Sequence, residues 1–512
     1  MLANIRRSAG LPAGQAVQTV ARMRLRVLAL ATICLAACKR TSEPAVITPP
    51  ISLGDAGTGS VAPPPPPDAG TPDAGTPDAG SPDAGSPDAG PVDAGPDPHR
   101  IGGLGAGPFP MDALAIYGSS QGLLEAPISA SIDESENLWV VSEKALYLWQ
   151  PGAKVFRRYT ARDGLHYGPG YTEPPDITLV EGGGPGECFV GYFARDTNAA
   201  MFPDAHRSTD PWAHMGKMDQ VLLQADGSLK VNRYDLRNTN DGSYYETRTV
   251  MSMVYDHFQH PGNLYVGSNH GVTRIIPANY FPPPLPLTDD THAERGWYAD
   301  HVHPVACIAA PCTGDSSRDH VTFGDWFGLT LAPDGRLWMG GLTSAGALGF
   351  REKLDEWRQS WKPINPFVPA FEGAPVFVPP RYGDPVNIRG VAVTPDGVVW
   401  FVSGEVESWR GATYGISAYD GKRFTYFDPT ALGALEYNIL EVQSLADGRL
   451  VFGFPSTGLL LWQPGEAKGR RITQRDGLPG ERIGRISQDK MHDPPLLLVP
   501  TDGGLAVFRN LP

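Results

Sequence analysis

The sequence predicts an all-β fold, a seven-bladed β-propeller of four-stranded antiparallel blades, and two observations carry that prediction. The first is a unit that recurs about seven times along residues 112–509: an apolar strand, a polar turn, a Leu-aromatic strand and a Gly-Leu strand. The second is the heptad YTARDGL (159–165), which returns as ITQRDGL (472–478) and, with one residue more, as IYGSSQGL (116–123). Four short strands repeated roughly every 40–45 residues are typical of propeller blades.

Within each unit, the first two strands meet at a turn that is often Asp-Gly. Glycine accepts the positive φ of such a turn, so we expect a tight two-residue hairpin. The third strand begins at Gly-Leu, and the fourth is the outermost. Clear copies are LAPDGRLWMGGLTSAGALGF (331–350), VTPDGVVWFVSGE (393–405) and LADGRLVFGFPSTGLLLW (445–462). In the fourth unit, EWRQSW (356–361) is expected as the outer strand, because it takes the register of RFTYF (423–427) in the fifth.

Two of the three heptads follow a third strand, so each is read as an outer strand and its exit to the next unit. The copy at Ile116 precedes any complete unit, and the last unit ends at Phe508 with no outer strand after it. We therefore predict that the N-terminal strand completes the last blade and closes the ring. The units are long for compact blades, and the surplus is predicted as inserts at about 194–218, 277–322 and 362–387.

The repeats resemble the two-component regulator propeller family over most of residues 112–509. The resemblance rests on TDGGLAVF (501–508), RDGLPGERIGRISQD (475–489) and the Asp-Gly-x-Leu-Trp turns. Members of that family often precede a membrane span and a kinase, whereas this sequence stops at Pro512, so any signal output is expected to require a partner. Similar repeats also occur in streptogramin-lyase-like propellers, which makes an enzyme of that type the alternative.

The N-terminal region reads as an export signal. Two arginines and an apolar run from Val27 to Ala37 precede Cys38, and that run is too short to span a bilayer. Residues 35–38 (LAAC) resemble the lipobox of bacterial lipoproteins, which implies cleavage of residues 1–37 and acylation of Cys38. Lys39 favours the outer membrane by the same resemblance. An ordinary signal peptide with an incidental cysteine remains the alternative, and the start can be Met1 or Met23.

Residues 38–100 are predicted to be a disordered tether. From Asp68 the chain repeats DAGTP or DAGSP, and this five-residue period offers almost no apolar side chains for a core. Calcium binding by the aspartates is the weaker reading, because nothing preorganises acids that lie five residues apart. Residues 101–512 form the predicted propeller domain.

Composition and motifs exclude several kinds of chemistry. The formal charge is −14 and the body of the chain has no basic run, so a nucleic-acid partner is not expected. GSSQG (118–122) matches a nucleophile-elbow pattern, but it lies on an outer strand, not the strand-to-helix turn that the motif needs. No catalytic residue, metal or cofactor is predicted.

One insert and one repeated position carry cysteine and aromatic side chains. Cys307 and Cys312 are expected to form a disulfide in an oxidising compartment, with zinc binding alongside the neighbouring histidines, or free thiols, as alternatives. Cys188 is predicted to be a buried small hydrophobe. Packing between blades is predicted for the aromatic residues at one repeat position, which are Trp139, Phe189, Tyr265, Trp338 and Trp400.

The candidate ligand site is the end of the central channel at which the connectors between blades converge. These connectors carry aromatic, arginine and amide groups that packing does not require, and such groups are common in recognition surfaces. The predicted contact residues are Tyr171, Tyr245, Arg248, Asp325, Trp326, Asn387, Arg389, Tyr437, Asn438 and Arg482. The alternative is that they are turn and rim residues.

The sequence therefore predicts a monomeric, lipid-anchored envelope module that binds or senses a protein or an anionic glycan. The anchor is expected in the outer membrane, on its periplasmic side or at the cell surface. A streptogramin-lyase-like enzyme and a purely structural envelope protein are the alternatives.

Overall fold

The chain divides into two units, residues 1–87 and 88–512, and the structure, a computed structural model, describes residues of the second. The described residues are 104–165, 177–193, 217–235, 249–268, 271–277, 291–292, 297–302, 306–307, 320–321, 326–342, 345–349, 362–364, 387–405, 415–489, 491–509 and 511. The predicted signal peptide and tether, with Cys38, lie outside them.

Seven antiparallel sheets stand in a ring and form a seven-bladed β-propeller, as the repeats predict. From the inner strand outward, blade 1 is β2 (Ser129–Ile132), β3 (Leu138–Val141), β4 (Leu146–Trp149) and β5 (Arg157–Tyr159), and blade 2 is β6 (Ile177–Gly182), β7 (Glu187–Tyr192), β8 (Lys217–Leu223) and β9 (Leu229–Asp235). Blade 3 is β10 (Val250–Tyr255), β11 (Leu264–Ser268), β12 (Gly271–Pro277) and β14 (Trp297–Val302), with the short β13 (Thr291–His292) at its edge. Blade 4 is β17 (Gly328–Leu331), β18 (Leu337–Gly340), β19 (Ala345–Leu348) and β20 (Lys362–Ile364), and blade 5 is β21 (Ile388–Val393), β22 (Val399–Ser403), β23 (Ile416–Tyr419) and β24 (Phe424–Phe427). Blade 6 is β25 (Glu441–Ser444), β26 (Leu450–Gly453), β27 (Leu459–Trp462) and β28 (Arg470–Ile472), and blade 7 is β29 (Ser487–Asp489), β30 (Leu496–Thr501), β31 (Gly504–Phe508) and β1 (Leu114–Tyr117).

The first strand of the chain is the outer strand of the last blade, which confirms the predicted ring closure. β1 pairs antiparallel with β31, from Leu114 opposite Phe508 to Tyr117 opposite Leu505. The order β29, β30, β31, β1 thus joins both ends of the propeller in one sheet.

Two outer strands lie where the repeat pattern did not place them. The outer strand of blade 3, β14, falls inside the stretch 277–322 that was predicted to be an insert, and so does a two-stranded sheet of β15 (Ala306–Cys307) and β16 (His320–Val321). In blade 4 the outer strand is β20, which follows the predicted segment 356–361. Neither strand repeats the apolar and turn pattern from which the other strands were predicted, so the sequence signal for both is weak.

In blades 1, 4, 5 and 6 the turn between the first two strands has three residues, not the predicted two, and in blades 3 and 7 it is longer. In blade 4 the N–H of Ala332 bonds the carbonyl of Arg336, and the N–H of Gly335 bonds that of Ala332. Gly335 has φ +79°, and this pattern is a type I turn followed by a left-handed residue. Pro333 suits the first position of a type I turn, so the Pro-Asp-Gly sequence selects the longer loop.

The core lies between neighbouring blades, as predicted from the repeated aromatic position. Trp139 is fully buried and packs with residues of blades 1 and 2, among them Cys188, which is also buried as predicted. Trp400 packs between blades 5 and 6 and meets Trp462 edge-on at 5.7 Å. Phe189, Tyr265 and Trp338 are buried in the same way.

Side chains of inner strands tie blade 3 to blade 4 and blade 7 to blade 1 around the channel. Ser252 Oγ donates to the carbonyl of Trp326 at 2.7 Å, and Ser487 Oγ donates to that of Ala130 at 2.6 Å. We call the end of the channel where the inner strands begin the connector end. The end where they turn into the second strands is the hairpin end.

Candidate functional site: the central channel

The seven inner strands enclose a cavity of about 170 Å³ along the channel. Each blade contributes lining residues, and most of them are apolar or small. The charged and aromatic residues among them are Glu181, Tyr255, Asp256, His257, Phe258, Phe327, Glu441, Arg485 and Asp489. This wall, together with the connector end, is the candidate functional site.

Five of the predicted connector residues are described together with their side-chain contacts, and one of them, Trp326, is interior. Its side chain is 1% exposed and packs between blades 3 and 4 with Tyr265 and Met339. Its N–H donates to the carbonyl of Ser268 at 3.1 Å. The structure thus places Trp326 in the core, while the next residue, Phe327, lines the channel.

Asn387 is also buried and shapes the start of an inner strand. It has φ +44°, a left-handed conformation that asparagine tolerates better than most residues. Its Nδ2 donates to the carbonyl of Gly404, and the N–H of Gly404 donates back to the Asn387 carbonyl at 3.0 Å. These bonds set the geometry from which Arg389 projects.

Arg389 lies at the connector end of the channel and rests on Phe327. The pairing of β21 with β22 shifts between Ile388 and Gly390, so Arg389 is the extra residue of a β-bulge, a device that redirects a side chain. Its guanidinium carbon is 4.0 Å from the centroid of the Phe327 ring, within cation–π range. Its Nη2 donates to the carbonyl of Glu405 at 3.1 Å.

Asn438 joins Arg389 at this end, whereas Tyr437 turns towards its own connector. Asn438 Oδ1 accepts from the N–H of Glu405 at 2.8 Å, so Arg389 and Asn438 hold the same residue. The Tyr437 hydroxyl donates to Asp428 Oδ2 at 3.2 Å.

Arg482 is the sixth predicted contact residue that the structure describes. It is exposed on the connector that precedes blade 7. Its backbone carbonyl accepts from the N–H of Asp502 at 3.1 Å. The remaining predicted contacts (Tyr171, Tyr245, Arg248 and Asp325) and Cys312 lie outside the described residues. Cys307 belongs to β15, and its pairing with Cys312 stays a prediction.

The channel residues with the strongest charge were missed by the sequence analysis. Arg485 Nη2 donates to the carbonyl of Phe327 at 2.7 Å, and its Nε lies 3.4 Å from Glu441 Oε2. These residues come from blades 7, 4 and 6. The available signal was a charge on, or just before, an inner strand, where other units carry apolar or small residues.

Burial changes the acidity of two channel carboxylates. It raises the pKa of Glu181 to about 7, against the opposing effects of the Tyr255 N–H and the positive charges of His257 and Arg485. It raises the pKa of Glu441 to about 7 as well, against the effect of Arg485 and the N–H of Val442. Both acids therefore change charge near neutral pH.

The hairpin end carries acid–histidine pairs. Glu134 Oε1 lies 3.2 Å from His257 Nδ1, which joins the first turn of blade 1 to blade 3. Asp489 Oδ2 contacts Nδ1 of the fully buried His492, and Glu136 Oε1 lies 3.8 Å from its Nε2. Among the described residues, no group of three or more His, Cys, Asp or Glu side chains is placed to hold a metal ion.

The structure also describes the GSSQG motif (118–122). Ser120 lies in a 3₁₀ turn after β1 and its Oγ contacts Gln121 Oε1 at 2.8 Å, as expected for a loop serine. Within the described part of the chain, no helix is long and apolar enough to cross a membrane.

Comparison with known proteins gives similarity of fold. No family model and no curated protein matches the chain. Similar solved structures include the extracellular domain of a putative hybrid two-component system of B. thetaiotaomicron, with a TM-score of 0.46 and 15% identity over 78% of this chain. The match spans 42% of that protein, so this chain covers less than half of it.

Two smaller proteins are matched over nearly their whole length. One is a streptogramin B lyase, with a TM-score of 0.42 and 11% identity over 77% of this chain and 98% of that one. The other is YCF48 bound to D1 peptide, with a TM-score of 0.42 and 12% identity over 79% and 99%. At these identities the similarities concern the fold alone.

Proposed function

We propose that this chain is a lipid-anchored binding or sensing module of a bacterial envelope and that it holds an anionic ligand at the connector end of its channel. Cys38 and its lipobox-like context support the proposed lipid anchor. The composition of residues 39–100 supports the proposed tether. A protein segment rich in acids or an anionic glycan is the ligand class. The resemblance to two-component regulator propellers supports the sensing role, with a partner protein supplying the output.

The observation that carries the proposal is that two arginines meet at Phe327 at the connector end. Arg389 projects from a β-bulge over the Phe327 ring, and Arg485 donates to the carbonyl of the same residue. Arg482 is exposed on the same connector as Arg485. Guanidinium groups present directed donors that match carboxylate and sulfate oxygens. A positive surface on a chain of net charge −14 would also attract anions against the overall field.

The test is a binding titration of the full-length chain with dextran sulfate, using neutral dextran as the matched probe. Dextran sulfate should bind, less tightly as salt rises, and dextran should not. Arg389→Ala and Arg482→Ala should each weaken binding by about thirtyfold if these residues are hot spots worth about 2 kcal/mol. The fold should persist, because neither side chain belongs to the apolar core.

Arg423→Ala is the matched control. Arg423 is 84% exposed and lies in a turn at the outer side of blade 5, away from the channel. Its removal should leave dextran sulfate binding unchanged. Equal losses for Arg423→Ala and Arg389→Ala would mean that binding follows total charge and not this surface, and the proposal would fail.

A further inference from the structure

Arg485 divides the channel. Its guanidinium reaches from blade 7 to the Phe327 carbonyl of blade 4, and in a ring of seven these blades stand on opposite sides. It is also paired with Glu441 of blade 6. We call this bridge the Arg485 bar. The bar separates the connector end from the part of the cavity that opens towards the hairpin end.

Below the bar, one position of every inner strand can be compared around the ring. The penultimate residues of the seven inner strands are Ser131, Glu181, Val254, Thr330, Ala392, Gln443 and Gln488. All seven are described, and Glu181 alone among them is an acid. Five of these residues, Glu181 included, line the cavity with a polar group.

The hydrogen bond that Glu181 makes to the next blade does not require an ionised carboxylate. Its Oε1 accepts from the N–H of Tyr255 in the next blade at 3.0 Å. In blade 1 the hydroxyl of Ser131 makes the equivalent bond, from the N–H of Gly182, at 2.8 Å. A neutral oxygen therefore serves at this position. Glu181 keeps some exposure to the channel, but a carboxylate in so narrow a site is costly unless a positive group compensates it, so the acid in blade 2 points to a further partner.

Among the described residues, the positive groups that act on Glu181 are Arg485 and His257, and both are already engaged. Arg485 is held by Glu441 and by the Phe327 carbonyl. His257 is paired with Glu134, 3.2 Å away. Both still act on Glu181, but burial outweighs them and raises its pKa to about 7. A bound cation would supply the missing compensation and would hold Glu181 ionised.

Aromatic residues and acids line the lower part of the same cavity. Tyr255, His257 and Phe258 are among them; the Tyr255 ring packs against Phe189 between blades 2 and 3, and the His257 ring lies 4.6 Å from it. Aromatic faces favour organic ammonium groups over water. Asp256 and Asp489 line the hairpin end of the cavity and make the local field negative, which raises the local concentration of cations.

We infer that the cavity below the Arg485 bar binds a small organic ammonium compound, with Glu181 as its counter-ion, among the aromatic residues Tyr255, His257 and Phe258 that line the same cavity. The whole cavity, whose lining includes Phe327, Glu441 and Arg485 of the bar, has a volume of about 170 Å³, so the part below the bar is smaller and restricts the ligand to a small molecule. This site is separate from the connector end and opposite to it in charge.

The test uses the full-length chain and two probes of equal heavy-atom count, ethanolamine and ethylene glycol, in ligand-observed NMR titrations. Ethanolamine should bind and ethylene glycol should not. With a pKa near 7, Glu181 goes from about one-tenth ionised at pH 6 to about nine-tenths at pH 8. The Kd for ethanolamine should therefore fall about tenfold over that interval, since ethanolamine stays protonated throughout.

Glu181→Gln is the diagnostic variant. It should fold, because glutamine already occupies the same position in blades 6 and 7, and its Oε1 can still accept from Tyr255. At pH 8 it should bind ethanolamine at least about tenfold more weakly than the wild type, with no pH dependence. Glu466→Gln, at an exposed turn between β27 and β28, is the matched control and should behave as the wild type.

Three outcomes would overturn the inference. They are equal binding of the two probes, wild-type affinity in a folded Glu181→Gln protein, and displacement of ethanolamine by calcium at equimolar concentration, which would make the site a metal site. The dextran sulfate experiment is independent, because its probe is anionic and its variants lie at the connector end. Either proposal can therefore fail without the other.

Discussion

At the ends of three outer strands, the same residues make the same turn. In blades 1 and 6 a threonine (Thr160, Thr473) caps a short 3₁₀ turn with its hydroxyl, and an aspartate three residues later bonds back to the threonine N–H. A left-handed glycine and a buried leucine follow each time. In blade 7 Gly118 replaces the threonine and Gln121 Oε1 accepts its N–H at 2.9 Å. The repeated heptad is thus the exit of an outer strand.

The glycines of these exits should be hard to replace. Gly164 has φ +100°, and an added Cβ would lie 3.6 Å from Val231 Cγ2, an ordinary contact. Gly164→Ala should therefore lower the free energy of unfolding only by the cost of a left-handed backbone at alanine, about 1–2 kcal/mol, as measured in urea titrations. Gly477→Ala should lose more, because its Cβ would lie 2.7 Å from Leu114 Cδ2 in the strand that closes the ring.

Asparagine provides the control for the conformational argument. It tolerates the left-handed region better than alanine, so Gly164→Asn should retain more stability than Gly164→Ala. The reverse order would mean that side-chain size, and not backbone conformation, selects glycine here.

Glu136 is an exception to the use of glycine at left-handed turn positions. It has φ +65° at the turn position that Gly335, Gly397 and Gly448 occupy in blades 4, 5 and 6. A non-glycine residue in this conformation costs of order 1 kcal/mol or more. Its carboxylate lies 3.8 Å from the ring of buried His492, a contact that glycine would not make.

Among the elements, the pairing of β1 with β31 decides whether the ring is closed. Without β1 the last blade has three strands, and the edge of β31 with its buried face is open to solvent. The segment before β1 adds to the closure: Arg509 Nε donates to the Pro110 carbonyl at 2.7 Å, and the Phe109 ring stacks on Trp149 at 5.6 Å.

Deletion of residues 112–123 should therefore lower the thermal midpoint far more than deletion of residues 39–100, or cause aggregation. Thermal unfolding and light scattering of both proteins would measure this. Similar midpoints for the two deletions would mean that the propeller is stable with its last blade incomplete.

Inner strands matter for function because they converge on one channel. Blade 2 supplies Glu181, blade 6 Glu441 and blade 7 Arg485, and no two of these are close in sequence. The β-bulge at Arg389 adds a side chain at the connector end that a regular strand would not project there. The blades are similar as elements, and their differences are concentrated at the channel.

At the scale of the whole molecule, the two ends of the channel carry different charged groups. The connector end holds Arg389, Arg482 and the Arg485–Glu441 pair, and the hairpin end holds Asp256, the Asp489–His492 pair and the Glu134–His257 pair. Two ligands of opposite charge can therefore be considered for one protein. Lipid anchorage through Cys38 would hold both sites within the length of the tether from a membrane.

Anchorage itself is open to a direct test. Fatty-acid labelling in bacterial cells should mark the wild-type chain and leave Cys38→Ala unmarked, since the cysteine thiol is the acylation site that the lipobox resemblance implies. Cys188→Ala is the matched control, because that thiol is buried in the propeller and should not affect labelling. Equal label in wild type and Cys38→Ala would rule out a lipoprotein.

Local sequence was sufficient to determine the number of blades, their four-stranded plan and the closure by the N-terminal strand. Alternating strands, turn residues and the repeated heptad depend on interactions between near neighbours in the chain, and these are legible from a single sequence. The pattern also identified the aromatic residues that pack between blades. It failed for β14 and β20, whose sequences do not repeat the pattern of the other outer strands.

The channel chemistry was decided by the tertiary structure alone. Phe327 and Arg485 are 158 residues apart and meet because blades 4 and 7 face each other across the ring. Trp326, predicted at a surface, is 1% exposed because its connector folds inward between two blades. The acidity of Glu181 likewise depends on burial by several strands, and no stretch of sequence encodes how much water reaches a side chain.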